Sequence, residues 1–225
     1  MTGAFPIIRL TGVTKTYPMP AGDVRALDSI SLDVMPGEFV AILGPSGSGK
    51  STLLSLIGGL DVPTAGDIIV GGISEKALSD DELAVLRRDH IGFVFQQGNL
   101  LPLLSIVENV ELPLTFARKA AGTRERCTEV LGAVGLSPAL FTRRPAELSG
   151  GQQQRAAIAR ALVNDPGILL CDEPTGNLDS GTGDTLMALL AALNRRGRTI
   201  LLVTHDPRIA GYAGRILQIA DGRVA

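Results

Sequence analysis

One stretch constrains this chain more than any other. The continuous apolar run Phe39-Val40-Ala41-Ile42-Leu43 ends in Gly44-Pro45-Ser46-Gly47-Ser48-Gly49-Lys50-Ser51-Thr52 and is followed at once by Leu53-Leu54-Ser55-Leu56-Ile57. An apolar run without alternation predicts a strand covered on both faces, hence a parallel sheet with helices on either side. The glycine-rich turn matches G-x-x-x-x-G-K-[ST] in the strand–loop–helix setting that the pattern requires. Glycines let the backbone wrap so that its N–H groups converge, and the helix start adds a favourable dipole. Lys50 adds a full charge, directed at β- and γ-phosphates, and the Ser51 hydroxyl is placed as a Mg²⁺ ligand. The spacing is not G-x-G-x-x-G, so a dinucleotide is not the expected occupant. Lysine is scarce, confined to Lys15, Lys50, Lys76 and Lys119, which makes its presence in this loop pointed.

Two more continuous apolar runs, Ile168 to Cys171 and Ile200-Leu201-Leu202-Val203, extend the parallel sheet. Ile7-Ile8-Arg9-Leu10 and Leu27 to Val34 instead alternate apolar with polar, as half-exposed antiparallel strands do. Between Leu101 and Asp165 the spacing turns helical, with helices expected over Thr123 to Gly135 and Gln152 to Asn164, the second placing Ala156, Ala159, Leu162 and Val163 on one side. Ser79-Asp80-Asp81-Glu82 has capping-box spacing and starts a short helix to about Arg88. Arg215 to Ile219 with the turn at Asp221-Gly222 predicts a hairpin. The fold class expected is α/β, with an antiparallel β subdomain and an inserted α-helical subdomain. Residues 1–225 form one domain: about 1–97 and 166–225 make the α/β core and its β subdomain, and about 98–165 the helical lobe.

A chain of 225 residues with 45% apolar content can bury such a core. Its 21 basic and 23 acidic side chains leave a formal charge of -2, which excludes the footprint that tracks a nucleic-acid backbone. The pairs Arg87-Arg88, Arg143-Arg144 and Arg195-Arg196 read as solvated helix ends. Cys127 and Cys171 are too few for a disulfide framework, and Cys171 reads as a small hydrophobe in a reduced cytosol. The longest apolar run, Leu186 to Leu193, falls short of the roughly 18 residues a membrane span needs, and Met1-Thr2-Gly3-Ala4-Phe5-Pro6 does not read as an export signal. Any membrane role is therefore expected to come through a partner.

Asp172 ends a buried run, where a carboxylate is costly unless it meets a cation, and Mg²⁺ at Ser51 is the obvious one. Glu173 follows it and, by strand alternation, points to a different region, where it can polarise an attacking water. His205 ends the third apolar run, on the sheet edge where α/β folds bind ligands, and is assigned a γ-phosphate contact. His90 sits beside Asp89 in a polar stretch and reads as surface.

Leu148-Ser149-Gly150-Gly151-Gln152 opens a helix. Ser149 and Gln152 have capping-box spacing, which accounts for them by itself. Two glycines and free N–H groups at a helix start also make a second anion site, in a chain with one phosphate loop. At this point the residues resemble the ATP-binding cassette family, whose signature is this pentapeptide, and the resemblance covers nearly the whole chain. It implies a P-loop NTPase (RecA-like) core that binds ATP and Mg²⁺ and hydrolyses ATP. Gly44 to Thr52 is similar to the Walker A segment, Ile168 to Glu173 to Walker B, Gln96 to the Q-loop glutamine that reaches the metal, Asn177-Leu178-Asp179 to the D-loop, His205 to the switch histidine and Tyr17 to the aromatic that stacks on adenine. Gln97 directly follows Gln96, so either glutamine could reach the metal, and Tyr17 at a strand end could equally be packing. Catalysis would rest on Lys50, Gln96, Glu173 and His205. Ser149, Gly150, Gly151, Gln152 and Asp179 would act across a head-to-tail dimer, built from two copies or with a different cassette.

Gly58-Gly59-Leu60-Asp61, Pro63 to Asp67, Arg160 to Pro166 and Glu173 to Asp179 further resemble the ATPases of lipoprotein-release and macrolide-efflux transporters and the related cell-division ATPase. The branch implies a peripheral protein on the cytoplasmic side of the inner membrane, driving an integral membrane permease. The apolar stretch Gly98 to Val110 is then expected to contribute a docking groove as well as lobe packing. The competing reading is a non-transport ATPase of the same family acting with a soluble partner.

Overall fold

The computed structural model describes residues 5–20, 22–117 and 123–224; Met1–Ala4, Ala21, Lys119 with the rest of 118–122, and Ala225 lie outside the described residues. The main elements are β1 (Ile8–Tyr17), β2 (Val24–Val34), β3 (Phe39–Leu43), α1 (Lys50–Ile57), β4 (Ala65–Val70), β5 (Ile73–Ser74), α2 (Asp80–His90), β6 (Ile91–Val94), α3 (Ile106–Phe116), α4 (Thr123–Ala133), α5 (Gly150–Leu162), β7 (Ile168–Asp172), α6 (Ser180–Arg195), β8 (Thr199–Thr204), α7 (Pro207–Ala210), β9 (Arg215–Ala220) and β10 (Arg223–Val224).

A six-stranded sheet in the order β10-β9-β3-β8-β7-β6 forms the centre, parallel throughout except for β10. Its inner strands lack alternation because each face has its own helices. Val40, Ile42, Leu170, Leu201 and Val203 pack with Leu53, Leu54 and Ile57 of α1. Ala41, Leu169, Cys171 and Leu202, one residue out of phase, pack with Leu186, Met187 and Leu190 of α6. Burial, with a smaller contribution from Asp172, pushes the Cys171 thiol up to about 12, so it behaves as the small hydrophobe the sequence indicates. The terminal segment Arg215–Ala220 does more than form a hairpin: β9 pairs antiparallel with β10 and parallel with β3.

The second sheet, β2-β1-β4-β5, is antiparallel and lays Ile8, Leu10, Val13, Leu27, Ile30 and Val34 onto the α1 side of the core. β1 runs well past the alternation visible at Ile7 to Leu10. Irregular register between Leu10 and Val13 resets the alternation and turns Val13 and Lys15 inward.

Helices α3, α4 and α5 lie between β6 and β7 in the chain and pack on one another through Ile106, Val110, Leu131 and Ile158. The stretch Gly98 to Val110 is largely lobe packing. Ile106, Val107 and Val110 are fully buried, Ser105 and Glu108 close a capping box, and the buried Asn109 amide ties down the preceding turn through Leu101, Leu104 and Ser105. Only Leu101 and Leu103 remain exposed as large apolar groups of this stretch. His90 is half-buried at the end of α2 rather than free on the surface, with Gly71 packed against its ring.

Glu75, just after β5, is 6% exposed and its Oε1 has no hydrogen-bond partner. Burial first, then the neighbouring Asp67, pushes its carboxyl up from 4.5 to about 8, with Arg87 opposing. The folded protein therefore keeps a proton that the unfolded chain loses above about pH 4.5, so this group's stabilising effect is complete below that pH and is lost as pH rises through about 8. Thermal melts of the wild type should decline across that window, and Glu75→Gln should flatten the decline; equal slopes would refute the assignment.

Candidate nucleotide site

The parallel register collects the sequence motifs at one sheet edge. Leu43 pairs with Thr204 and Asp172 with Val203, so the strand ends that lead into the glycine loop, Glu173 and His205 lie side by side. β6 pairs Val94 with Cys171 and brings the Gln96 turn to the same edge.

The glycine loop holds Gly49 at φ +99°, as the residue that starts α1, and a Cβ there would lie 2.4 Å from the Ala26 carbonyl oxygen. Helices α2, α3, α5 and α6 begin with the side-chain caps Ser79, Ser105, Ser149 and Asp179, whereas α1 has none. Its first-turn N–H groups are left for another acceptor. Lys50 is 7% exposed, and its ammonium donates only to the neutral carbonyls of Gly44 and Pro45, at 2.8 Å each. The buried Ser48 hydroxyl has no partner. The Ser51 hydroxyl donates to Asp172 Oδ1 at 3.1 Å. Burial raises the Asp172 carboxyl, a shift that the Ser51 bond and Lys50 oppose and Glu173 reinforces.

This set lacks an anion at Lys50 and a cation beside Asp172. Phosphates carrying Mg²⁺ fit both needs: their oxygens suit the uncapped helix start and the ammonium, and the ion suits Ser51 with Asp172. Among the described residues no group of three or more His, Cys, Asp or Glu could hold a metal.

Glu173 lies beyond β7, at φ +45°, so a left-handed backbone rather than strand alternation aims its carboxylate. Such a conformation in a non-glycine residue costs of order 1–3 kcal/mol and concentrates at functional sites. Its Oε1 lies 2.8 Å from His205 Nδ1, and the Thr204 hydroxyl reaches its Oε2 at 3.5 Å. In the tautomer with its proton on Nδ1, that nitrogen donates to the carboxylate. Gln96 packs against Gly176, where a Cβ would lie 2.7 Å from Gln96 Nε2, and its carbonyl accepts from Asn177. Gln96 thus adjoins the segment that carries Glu173.

Ser149 and Gln152 form the reciprocal capping box expected of them, with Ser149 N–H donating to Gln152 at 2.9 Å and Gln152 N–H to Ser149 at 3.3 Å. The helix starts at Gly150 and ends at Leu162, slightly earlier than the sequence spacing indicates. Gly151 lies so close to α6 that a Cβ would stand 2.3 Å from Thr182, and Gly150 faces Leu178. Among the described residues no hydrogen bond links 149–152 to the loop 44–52 of the same chain, and Ser149 and Gly150 are exposed. Both oxygens of Asp179 are taken by Thr182, at 3.0 and 2.6 Å, as the cap of α6.

Tyr17, at the end of β1, donates its hydroxyl to Asp61 at 2.8 Å, and burial and this carboxylate raise its pKa. Sequence reasoning gave no site role to four residues that border the site. Lys15 and Asp61 flank Tyr17. Arg160 donates to the carbonyls of Asn99 and Gly98 at 2.6 Å each, and Gln154 to that of Phe95 at 2.9 Å, so α5 grips the turn that carries Gln96. Asp61 and Arg160 entered only as members of family-like stretches, and no spacing set Lys15 or Gln154 apart.

Fold and site together define a P-loop ATPase cassette. The chain belongs to the ABC transporter family, whose pattern matches residues 27–176. It is 51% identical over 223 residues to the uncharacterized ABC transporter ATP-binding protein MJ0796 of Methanocaldococcus jannaschii, covering 97% of this chain and 95% of that one. It is 50% identical over 225 residues to the macrolide export ATP-binding/permease protein MacB of Burkholderia pseudomallei, but spans only 34% of that protein's length. Among solved structures, a dimeric post-hydrolysis state of MJ0796 bound to ADP and Pi matches with a TM-score of 0.90 at 50% identity, covering 96% of each chain. The structure of cbiO1 from Clostridium perfringens, part of the cbiONQ transporter complex, matches at 0.86 with 31% identity, over 98% of this chain and 87% of that one.

Gly49→Ala tests the loop directly. The added methyl meets the Ala26 carbonyl in a conformation L-residues avoid, a strain of about 1–3 kcal/mol. At about 2–4 °C per kcal/mol for a chain of this size, the melting temperature should drop by about 3–10 °C, with ATP binding lost in calorimetry.

Proposed function

We propose that the chain hydrolyses ATP as one half of a head-to-tail pair, and that closing and opening of the pair drives a membrane permease from the cytoplasmic side. One observation carries this reading: a complete phosphate seat with Glu173 and His205 occupies one face, while the Ser149–Gln152 helix start is exposed beside α6 and bonds to none of it. A second copy would supply that segment to close over the nucleotide, with Asp179 at the same edge of the contact.

In this reading Lys50 and the free N–H groups of α1 orient the β- and γ-phosphates. Mg²⁺, held by Ser51, Asp172 and Gln96, would neutralise charge on phosphate oxygens. Gln96 rather than Gln97 is assigned to the ion because its side chain lies against the Glu173 segment. Glu173 holds the attacking water and takes its proton. His205 keeps Glu173 in place through Nδ1; contact with a γ-phosphate oxygen through Nε2 requires that nitrogen to donate too, which is the doubly protonated ring.

The permease would dock in a groove of about 660 Å³ between α2 and the helical lobe, lined by Val85, Phe93, Leu101, Leu112 and Phe116 with Arg88 at its side. The groove reaches Phe95 and Asn99, which flank the Gln96 turn, so an occupant would touch the segment that senses the nucleotide. No helix among the described residues is long and apolar enough to cross a membrane, so the permease is assigned to a partner segment or chain. The 50% identity to a macrolide export ATP-binding/permease protein supports assigning it to the macrolide-export and lipoprotein-release branch.

Glu173→Gln keeps the shape of the side chain and removes the base. ATP turnover should fall by about 10²- to 10⁴-fold, and an ATP-dependent dimer should persist in gel filtration. Unchanged turnover would remove Glu173 from the chemistry. Pulled from detergent-solubilised membranes with ATP, the variant should bring down a permease; a soluble partner alone would favour the non-transport reading.

A further inference from the structure

Beside the phosphate loop lies a partly buried charged pair, Lys15 buried and Asp61 half-buried, that the phosphate chemistry does not use. Lys15 is 8% exposed, and its ammonium donates to Asp61 Oδ1 at 2.6 Å and to the Val62 carbonyl at 2.8 Å. The same ammonium stands 4.9 Å from the centroid of the Tyr17 ring. The Tyr17 hydroxyl closes the triangle by donating to the other Asp61 oxygen at 2.8 Å. The Thr52 side chain, in the first turn of α1, is near enough to oppose the rise of the phenol's pKa, so the ring stands beside the helix whose start forms the phosphate seat.

Burying the lysine of such a pair carries a desolvation cost, and apolar side chains of similar volume often fill such a space as well or better. What the pair does here is fix a half-exposed aromatic ring at both ends: a cation over the face and a carboxylate at the hydroxyl. A ring held in one orientation stacks on a planar ligand without losing freedom at the moment of binding.

Resting on the reading of Tyr17 as the adenine platform, we propose that Lys15 and Asp61 are positioning residues for the nucleobase, locking the Tyr17 ring so that its exposed surface is presented to a purine. Neither residue touches the phosphates. Their contribution belongs to base affinity and not to the chemical step.

The test is ATP hydrolysis by the full chain and by Lys15→Met, Asp61→Asn, Lys15→Arg and Tyr17→Ala, each with inhibition by inorganic tripolyphosphate, which has the phosphates and no base. K15M and D61N should raise KM for ATP about three- to tenfold, the range a cation–π contact commands, with kcat within about twofold of wild type and the tripolyphosphate inhibition constant unmoved. K15R keeps the charge and should restore most of the lost affinity. A tripolyphosphate constant that rises in step with KM would overturn the proposal, because the pair would then merely hold the wall of the phosphate loop. So would an unchanged KM in K15M and D61N beside a raised KM in Y17A. An unchanged KM in Y17A would instead remove the platform reading on which the proposal rests. Should K15M fail to melt cooperatively, D61N, which keeps the shape of the carboxylate, decides by the same criteria.

Discussion

Two charges that their hydrogen-bond partners do not neutralise, one buried and one half-buried, organise this molecule. Lys50 is held among carbonyl oxygens, and Asp172 is held by a serine hydroxyl in a setting that opposes its charge. Neither arrangement favours the folded state, so the surrounding structure must impose it. The imposing element is the parallel sheet, whose inner strands are buried on both faces and fixed in register by α1 on one side and α6 on the other. A loop hung from such strands cannot relax to satisfy its own charges. It stays open for a ligand that brings the opposite signs together, and a magnesium–triphosphate does so in one body.

The same rigidity passes to the edges of the site. Arg160 and Gln154 hold the backbone of the Gln96 turn from α5, and Ser149 begins that helix. Three hydrogen bonds, two of them from a guanidinium, would have to break before the turn and the exposed helix start could move separately. Burial disfavours the charge of Arg160, which makes its carbonyl partners harder to give up. In the proposed reading, a shift of Gln96 toward an ion would be passed through these bonds to the helix that Ser149 begins.

Much of this was legible in the residues. The three unalternating strands, the glycine loop, the carboxylate that ends β7 and the capping box at Ser149 follow from period, spacing and residue type, and the geometry shows each of them. The misses have physical reasons. α3 contains Pro113 and follows a proline-containing turn, which broke the helical signal. β6 is four residues long with Gly92 inside it, below what a periodic pattern can reveal. The aim of Glu173 comes from a left-handed backbone, which a glutamate does not announce. β1 lost its alternation at an irregular register, so the inward turn of Lys15 was hidden by a feature of pairing, not of composition. What sequence conveys poorly is backbone geometry that departs from the regular element, and here those departures fall close to the chemistry.

The separation of the two anion sites carries the last consequence. Had α5 started against its own phosphate loop, binding energy would have been spent inside one rigid body, and nothing outside would have moved. With the Ser149 segment packed on α6 and exposed, the proposed pairing would make contacts to the far side of a triphosphate available only between chains. Binding then does work on whatever holds the chains apart, and loss of the γ-phosphate removes the contact that joined them. Because a ligand shifts an equilibrium only by its differential affinity for the two states, the split site is what makes ATP count as fuel and not merely as a bound group.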